Sequence, residues 1–171
     1  QREYFRALMP DEMTDEQLST IDIVFNNGIS LLTAPAGAGK TYSVKALLKA
    51  LRDANKTYML CTPTGASSEV LSENTNEDAG TIHRKLDYKP NGDDNPWGYN
   101  EKNKLPYDVV IVDEFGMVDI YLMRHLLEAI DTSKTRLLLV FDPYQLSSVG
   151  CGNIAQDLLK SDVIPTVRLT K

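Results

Sequence analysis

Apolar residues follow two spacings along this chain, and the spacings predict alternating strands and helices. Continuous apolar runs predict β-strands, at 29–33, 57–62, 107–114, 136–141 and 163–169. Apolar residues three or four positions apart predict helices, at 14–26, 42–51, 120–130 and 153–161. The run 107–114 is apolar on both faces, which predicts a central strand. Strands that alternate with helices predict a three-layer α/β domain around a largely parallel sheet.

One polar region is predicted to leave the body of this domain. The segment 87–104 combines turn-forming residues with Trp97 and Tyr99 and predicts a hairpin insertion at the surface. A shorter polar stretch, 73–80, predicts a plain loop between a helix that ends near Ser72 and a short helical turn. The insertion is therefore the one large feature that the alternating pattern does not account for.

Length and composition narrow the class of protein. The 171 residues fit one domain with its own core, and the net charge of −6 excludes a basic footprint over the whole domain. The sequence has no apolar run of transmembrane length, no signal-peptide pattern and no metal-binding cysteine spacing. We therefore expect a cytoplasmic protein with reduced cysteines and no membrane partner. Because the chain begins at Gln1 and ends directly after a predicted strand, we interpret residues 1–171 as part of a longer protein.

A glycine-rich turn lies between the first predicted strand and the helix 42–51. The spacing of the segment 34–41 matches a phosphate-binding loop, although alanine stands at the first glycine position. Glycines let successive N–H groups point at a phosphate, and the helix N-terminus adds positive potential. Lys40 would reach the β- and γ-phosphates, and the Thr41 hydroxyl would bind Mg²⁺. The alternative is a strand-to-helix turn without a ligand. The motif predicts ATP and Mg²⁺ as cofactors, held by Ala36, Gly37, Ala38, Gly39, Lys40 and Thr41.

Acidic and amide side chains follow two of the predicted strands. Asp113 and Glu114 end the strand 107–114, at the sheet edge where ligands of α/β domains bind. Asp113 can hold Mg²⁺, and Glu114 can accept a proton from the water that attacks the γ-phosphate. The alternative is that both acids cap the next helix. Gln145 follows the next strand and can orient that water, although it can also be an ordinary loop amide.

Together these motifs resemble the first RecA-like motor domain of superfamily 1 DNA helicases, most closely the RecD-like branch that includes the alpha subunit of exodeoxyribonuclease V. Matching segments follow the family order over nearly the whole chain, at 14–17, 34–41, 62–65, 80–84, 109–119, 142–146 and 149–150. The resemblance implies that Gln17 contacts the adenine edge, although the sequence alone places it in a helix capping box with Thr14. It also implies that Asp113 and Glu114 bind the metal and activate water, and that Gln145 senses the γ-phosphate.

The resemblance further implies an ATP-dependent helicase or translocase that moves on single-stranded DNA. The strand would cross two segments whose hydroxyls, backbone N–H groups and cations suit phosphate contacts. The predicted DNA contacts are Pro63, Thr64, Gly65, His83, Arg84 and Trp97. For His83 the alternative is packing within the domain. The insertion 87–104 lies where relatives carry a strand-separating pin, so Trp97 could stack on a base or pack the insertion onto the domain.

Motors of this family hydrolyse ATP between two RecA-like domains, and we expect the second domain to be absent from residues 1–171. That domain, and nuclease or helicase subunits of an exodeoxyribonuclease V-like complex, are the expected protein partners. Because the second domain supplies arginines to the transition state, we expect residues 1–171 alone to bind Mg-nucleotide weakly, hydrolyse it poorly and unwind nothing. The alternative functions are a kinase or another phosphate-loop enzyme, and a non-catalytic nucleic-acid module.

Three places depart from the usual pattern of the family. Phe141 stands where glycine is usual, Gly116 stands where serine is usual, and the segment 66–68 replaces a lysine and alanines. The predicted nucleotide chemistry uses none of these positions. The missing lysine removes a phosphate contact, and each such contact contributes to affinity, so this change bears on the strength of DNA binding.

Overall fold

The computed structural model describes residues 14–91, 95–145 and 150–170, which form helices around one sheet. The helices are α1 (Asp15–Asn26), α2 (Lys40–Asp53), α3 (Gly65–Thr75), α4 (Ile82–Lys85), α5 (Ile120–Ala129) and α6 (Ile154–Ser161). The strands are β1 (Ile29–Thr33), β2 (Tyr58–Thr62), β3 (Ala79–Thr81), β4 (Val109–Val112), β5 (Arg136–Phe141) and β6 (Thr166–Arg168). A short 3-10 turn, Phe115–Met117, follows β4.

The six strands lie in the order β3-β2-β4-β5-β1-β6, and every neighbouring pair is parallel. The predicted α/β fold with a parallel sheet is confirmed. Two strands are shorter than predicted, because β4 spans only part of 107–114 and β6 only part of 163–169. Since all strands run the same way, the loops that follow their carboxyl ends lie along one edge of the sheet.

Hydrophobic cores lie on both faces of this sheet, which explains why the strands are continuously apolar. One core joins the sheet to α1, α2 and α3, and the other joins it to α4, α5 and α6. Strand residues alternate between them. Those in the first core include Leu60, Ile111 and Leu138, and those in the second include Met59, Val110 and Leu139. The sheet is therefore the middle layer of three.

The two cysteines lie in different surroundings. Cys151 is exposed, whereas Cys61 is fully buried in the second core and its thiol donates to the Ile111 carbonyl. Burial raises the pKa of the Cys61 thiol to about 12. Because the thiolate is the reactive form, Cys61 is a structural residue that stays protonated at neutral pH.

The region 73–80 differs from its prediction, because it contains the end of α3 and the first two residues of β3. Asn76 ends α3 with a left-handed backbone, at φ 56°. The Ala79 N–H then donates to the Ser72 hydroxyl at 3.0 Å, which turns the chain back towards the sheet. The sequence of β3 is Ala-Gly-Thr and contains no apolar run. Its extended conformation comes from pairing with β2, a contact that local sequence cannot reveal.

The insertion 87–104 is anchored to the domain at its base. Tyr88 forms an isolated antiparallel bridge with Trp97, which agrees with a small hairpin. The Trp97 ring is only 9% exposed and stacks on His125 of α5, with ring centroids 4.3 Å apart and planes at 24°. Residues 92–94 lie outside the described residues. The base of the insertion is therefore packed against a core helix.

Close packing inside this insertion provides a stability test. A β-carbon at Gly98 would lie 2.5 Å from Asp87 Oδ2 and 2.7 Å from Asp87 Cβ, and Asp87 itself has a left-handed backbone. We expect Gly98→Ala to lower the free energy of unfolding by about 1–3 kcal/mol in urea denaturation, because the clash includes the Asp87 β-carbon, which is fixed to the backbone and cannot rotate away. In the control Gly28→Ala, no atom of the described residues lies within 4 Å of the new carbon apart from Gly28 and its two chain neighbours, so a change within about 0.5 kcal/mol is expected. Equal effects of the two changes would contradict this account.

Candidate functional site

A tight turn joins β1 to α2 at the carboxyl edge of the sheet. Gly37 and Gly39 have left-handed backbones, at φ 82° and φ 79°, and the Ala38 N–H donates to the Pro35 carbonyl at 3.0 Å. Residues with side chains rarely adopt such angles, so these two glycines are required by the shape of the loop. Ala34, which replaces the usual first glycine, is buried and has no left-handed backbone. The alanine therefore fits this loop without strain.

Three charged side chains meet next to this turn. Lys40, the first residue of α2, places Nζ 3.1 Å from Asp113 Oδ1 and 3.2 Å from Glu114 Oε1. Burial acts to lower the pKa of Lys40, but the negative charges of Asp113 and Glu114 and the hydrogen bonds to them outweigh it, so the pKa is raised. The lysine is therefore held as a cation, and the two acids that end β4 lie within reach of the loop. Charged groups so arranged can bind a phosphate and a metal ion together.

Glu114 has an unusual backbone for a residue with a side chain. Its φ is 54°, and its N–H donates to Asp113 Oδ1 at 2.8 Å. A left-handed backbone at such a residue costs of order 1–3 kcal/mol, and such strain concentrates at functional sites. The next residue, Phe115, is fixed in the core, where its ring meets that of Phe141 edge to face with centroids 6.1 Å apart. The strained turn directs the Glu114 carboxylate towards Lys40.

Two cavities adjoin at Lys40 and Thr41. The larger, of about 440 Å³, is lined by the loop, the start of α2 and the end of β5. Its lining residues include Pro35, Gly37, Tyr42, Lys45, Asp142 and Gln145. The smaller, of about 290 Å³, reaches past Asp113 and Glu114 to α3. The predicted phosphate contacts and Gln145 thus line one cavity and the two acids line the other, and Lys40 and Thr41 belong to both.

The donor set of this space suits Mg²⁺ bound together with phosphates. Among the described residues, no group of three or more His, Cys, Asp or Glu could hold a metal unaided. Thr41 and Asp113 do line the same cavity, and they offer a hydroxyl and a carboxylate. Mg²⁺ commonly takes only one or two protein oxygens and completes its shell with water and substrate phosphates. These residues therefore fit the predicted metal.

The beginning of α1 lies at the same edge of the sheet. The Leu169 N–H donates to the carbonyl of Thr33, the last residue of β1, and Thr170 bonds through its hydroxyl and N–H to the Glu16 carboxylate at 2.7 and 3.0 Å. These bonds, the hydroxyl first, lower the pKa of Glu16. The backbone of Gln17 lies in this first turn of α1, but its side chain lies outside the described part of the structure. The turn that carries Gln17 is thus joined to the strand that leads into the loop.

A comparison with protein-family models gives a match over residues 12–171, and the matching family is described as an AAA domain. The chain belongs to the AAA domain family. The match covers the loop, both acids and Gln145, so the site described above lies entirely within the family's domain. None of the helices in the described ranges is long and apolar enough to span a membrane.

Two curated relatives are similar to this AAA domain along most of its length. The ATP-dependent RecD2 DNA helicase of Deinococcus radiodurans is 35% identical over 159 residues, which cover 93% of this chain and 21% of the relative. The RecBCD enzyme subunit RecD of Mycolicibacterium smegmatis is 32% identical over 169 residues, covering 85% of this chain and 30% of that subunit. The predicted resemblance to RecD-like helicases is confirmed. The chain spans less than a third of the length of either relative.

A solved structure agrees with the fold of the AAA domain. The crystal structure of the Pif1 helicase from Candida albicans superposes with a TM-score of 0.64 at 21% identity, covering 93% of this chain and 40% of that one. At this identity the likeness supports the fold alone. Together with the parallel sheet, it establishes the same layered arrangement of helices and strands.

The AAA domain also brings together the two segments predicted to contact DNA. Pro63, Thr64 and Gly65 follow β2, and His83 and Arg84 lie in α4 directly after β3. Because β2 and β3 are paired neighbours, both segments emerge side by side at the carboxyl edge. Hydroxyl caps begin both helices, with Thr64 accepting from the Ser67 N–H and Thr81 accepting from the Arg84 N–H. At these helix starts Gly65, His83 and Arg84 are exposed, and Pro63 and Thr64 are partly exposed.

The side chain of Trp97 departs from its predicted place among the DNA contacts. Base stacking needs an open aromatic face, but Trp97 is buried against His125 and also contacts Tyr88 and His83, at 4.6 and 5.3 Å between centroids. Trp97 therefore packs the insertion onto the domain, and its ring is not open to stack on a base. His83 remains exposed while packing against Trp97 and Tyr88. Lys85, beside Arg84, pairs with Asp78 at 2.7 Å.

Two residues of the larger cavity were not expected from the sequence. Tyr42 and Lys45 line it from the outer face of α2. The available signal was their spacing, since residues three apart lie on one face of a helix and these two directly follow the phosphate-loop motif. The hydrophobic pattern of 42–51 predicts only the opposite face of the helix, which is buried in the core.

Proposed function

We propose that this AAA domain is the first motor domain of an ATP-dependent DNA helicase or translocase of the RecD-like branch. The observation that carries the proposal is the joint contact of Lys40 with Asp113 and Glu114, beside a loop that has the backbone of a phosphate cradle. The similarity to a RecD2 helicase and a RecD subunit supports the same activity. In the full-length protein, ATP hydrolysis would drive movement along single-stranded DNA.

Each residue of the site has a proposed task in binding and hydrolysis. The backbone N–H groups of 36–39 hold the phosphates, and Thr41 and Asp113 hold Mg²⁺, which neutralises phosphate charge when bound. Lys40 contacts the β- and γ-phosphates, and Glu114 accepts the proton of the attacking water. Gln145 orients that water or senses the γ-phosphate, and Gln17 contacts the adenine edge. The exposed position of Gln145 on the cavity wall is compatible with this task.

The proposed DNA path runs over the starts of α3 and α4. Pro63, Thr64 and Gly65 would present backbone and hydroxyl groups, and His83 and Arg84 would approach the phosphates of the strand. The insertion 87–104 would stand beside this path and part a duplex, with its base fixed on α5. Because the domain as a whole is acidic, binding would depend on this local surface.

Two kinds of protein partner follow from the same proposal. A second RecA-like domain would close the nucleotide cleft and supply the arginines of the transition state, so residues 1–171 alone would turn over ATP poorly. One relative is described as a subunit of the RecBCD enzyme, which supports nuclease or helicase subunits as further partners. A cytoplasmic location remains our expectation. A kinase is the weaker alternative, because Glu114 suits the activation of water, which a kinase has to exclude.

The test is ATP hydrolysis by the full-length protein, with and without single-stranded DNA. We expect strong stimulation by DNA, whereas turnover indifferent to DNA would reject the motor proposal.

We expect Arg84→Ala to weaken DNA binding and to reduce the slope of log affinity against log salt by about 0.7, the share of one phosphate contact on a single strand. Lys134→Ala is the control, because Lys134 lies just before β5, at the opposite edge of the sheet. An unchanged salt slope in Arg84→Ala would remove this residue from the DNA path.

A further inference from the structure

Tyr42 is an aromatic side chain kept open at the entrance to the phosphate loop. It is the third residue of α2, and its side chain is 44% exposed although the neighbouring Ser43 and Val44 are buried. The ring lines the cavity of about 440 Å³ that also contains the loop and Gln145. Other tyrosines are exposed as well, but Tyr42 lies on the wall of this cavity, where its ring is available to a ligand held by the loop.

The residues that line this cavity are of two chemical kinds. The groups suited to phosphates are the left-handed glycines and Lys40. Tyr42 and Lys45, one turn apart on the exposed face of α2, line the same cavity. A triphosphate would be held by the loop and Lys40. The nucleoside joined to it would then lie within reach of the α2 side chains, where Tyr42 offers an aromatic face.

We infer that Tyr42 is the stacking platform for the nucleobase of the bound nucleotide. The inference rests on the proposed nucleotide-binding function and adds to it a residue that holds the face of the base. Stacking tolerates every base, because each presents a π-face, whereas contacts to the base edge discriminate among bases. Tyr42 would therefore contribute binding strength, and the choice of adenine would belong to an edge contact such as that proposed for Gln17.

The test separates the base from the phosphates by using two ligands. Mg-AMPPNP carries base, ribose and phosphates, whereas Mg-tripolyphosphate carries the phosphates alone. Isothermal titration calorimetry on the full-length protein measures both affinities. For Tyr42→Ala we expect AMPPNP binding to weaken about tenfold and tripolyphosphate binding to change by less than about twofold, in line with the loss of one aromatic stack. Tyr42→Phe keeps the ring and should bind AMPPNP like the wild type.

Control variants distinguish a failure of this inference from a failure of the proposed function. Tyr121→Ala removes another exposed tyrosine, on α5, and should leave both ligands unaffected. Lys40→Ala should weaken both ligands, because it acts on the phosphates. Equal weakening of both ligands in Tyr42→Ala, or no change in either, would overturn the stacking role while leaving the nucleotide site intact. A wild-type protein that bound neither ligand would overturn both the site and the inference.

Discussion

Replacing Lys40 by alanine is expected to reduce DNA-stimulated ATP hydrolysis by the full-length protein by about two to three orders of magnitude, the usual effect of removing a preorganised donor to developing charge. The ammonium group lies 3.1 Å from Asp113 and 3.2 Å from Glu114, so it is already fixed at the junction of the two cavities. It can move from the carboxylates to incoming phosphates over a short distance. Steady-state kinetics over a range of ATP concentrations would measure kcat/KM.

The matched control for this change lies on the same helix. Lys49 is exposed and pairs with Asp53 at 2.7 Å, one turn further on along α2. Lys49→Ala removes an equal charge and should leave kcat/KM close to the wild-type value, because exposed pairs of this kind contribute little. If both variants lost activity equally, a general effect on α2 would explain the loss, and Lys40 would have no special role.

Replacing Glu114 by glutamine is expected to separate binding from chemistry. The amide keeps the shape of the side chain and can still accept a hydrogen bond from Lys40, so nucleotide affinity should stay within a few-fold. It cannot take a proton from water, and kcat should fall by about two to four orders of magnitude, the usual contribution of a general base. Single-turnover hydrolysis with DNA present measures the chemical step, and calorimetry measures the binding.

Glu73→Gln serves as the comparison, because Glu73 is an exposed acid on α3 that lines neither of the two cavities. Its hydrolysis rate should match that of the wild type. A Glu114→Gln variant that retained most of its single-turnover rate would show that another group activates the water. The role of Glu114 would then be limited to holding Lys40 in position.

The site could be predicted from the sequence where its chemistry follows from local pattern. The segment 34–41 contains the glycines that a phosphate-binding loop needs. The segment 107–114 predicts a buried strand and contains the two acids that follow it. Two facts of geometry were beyond that pattern. The left-handed backbone of Glu114 has no signal in the local sequence, and the closeness of Lys40 to both acids depends on β1 and β4 lying on either side of β5.

Long-range contacts explain the elements that the sequence did not reveal. β3 has no apolar run and becomes a strand because β2 offers it a partner. The sequence around Trp97 does not show whether its ring is exposed to a base or packed against the domain. The position of His125, 28 residues away along the chain, decides between these two arrangements. Local spacing predicts which residues can form an element, whereas the fold determines what each side chain meets.

Two of the departures from the family pattern are neighbours in space. A β-carbon at Gly116 would lie 3.9 Å from the Phe141 β-carbon, an ordinary van der Waals distance, and the Phe141 ring meets Phe115 edge to face. There is thus room for a small side chain at 116 beside phenylalanine at 141. The two departures are neighbours, but neither requires the other.

Trp97 is the only tryptophan among the 171 residues, and its indole lies in van der Waals contact with an imidazole. An indole in such contact emits differently from one in water, because its surroundings set both the wavelength and the yield of its fluorescence. The emission of this chain therefore reports on one place, the junction between the insertion and α5. Detachment of the insertion would be visible in real time without any label, and separately from the unfolding of the sheet.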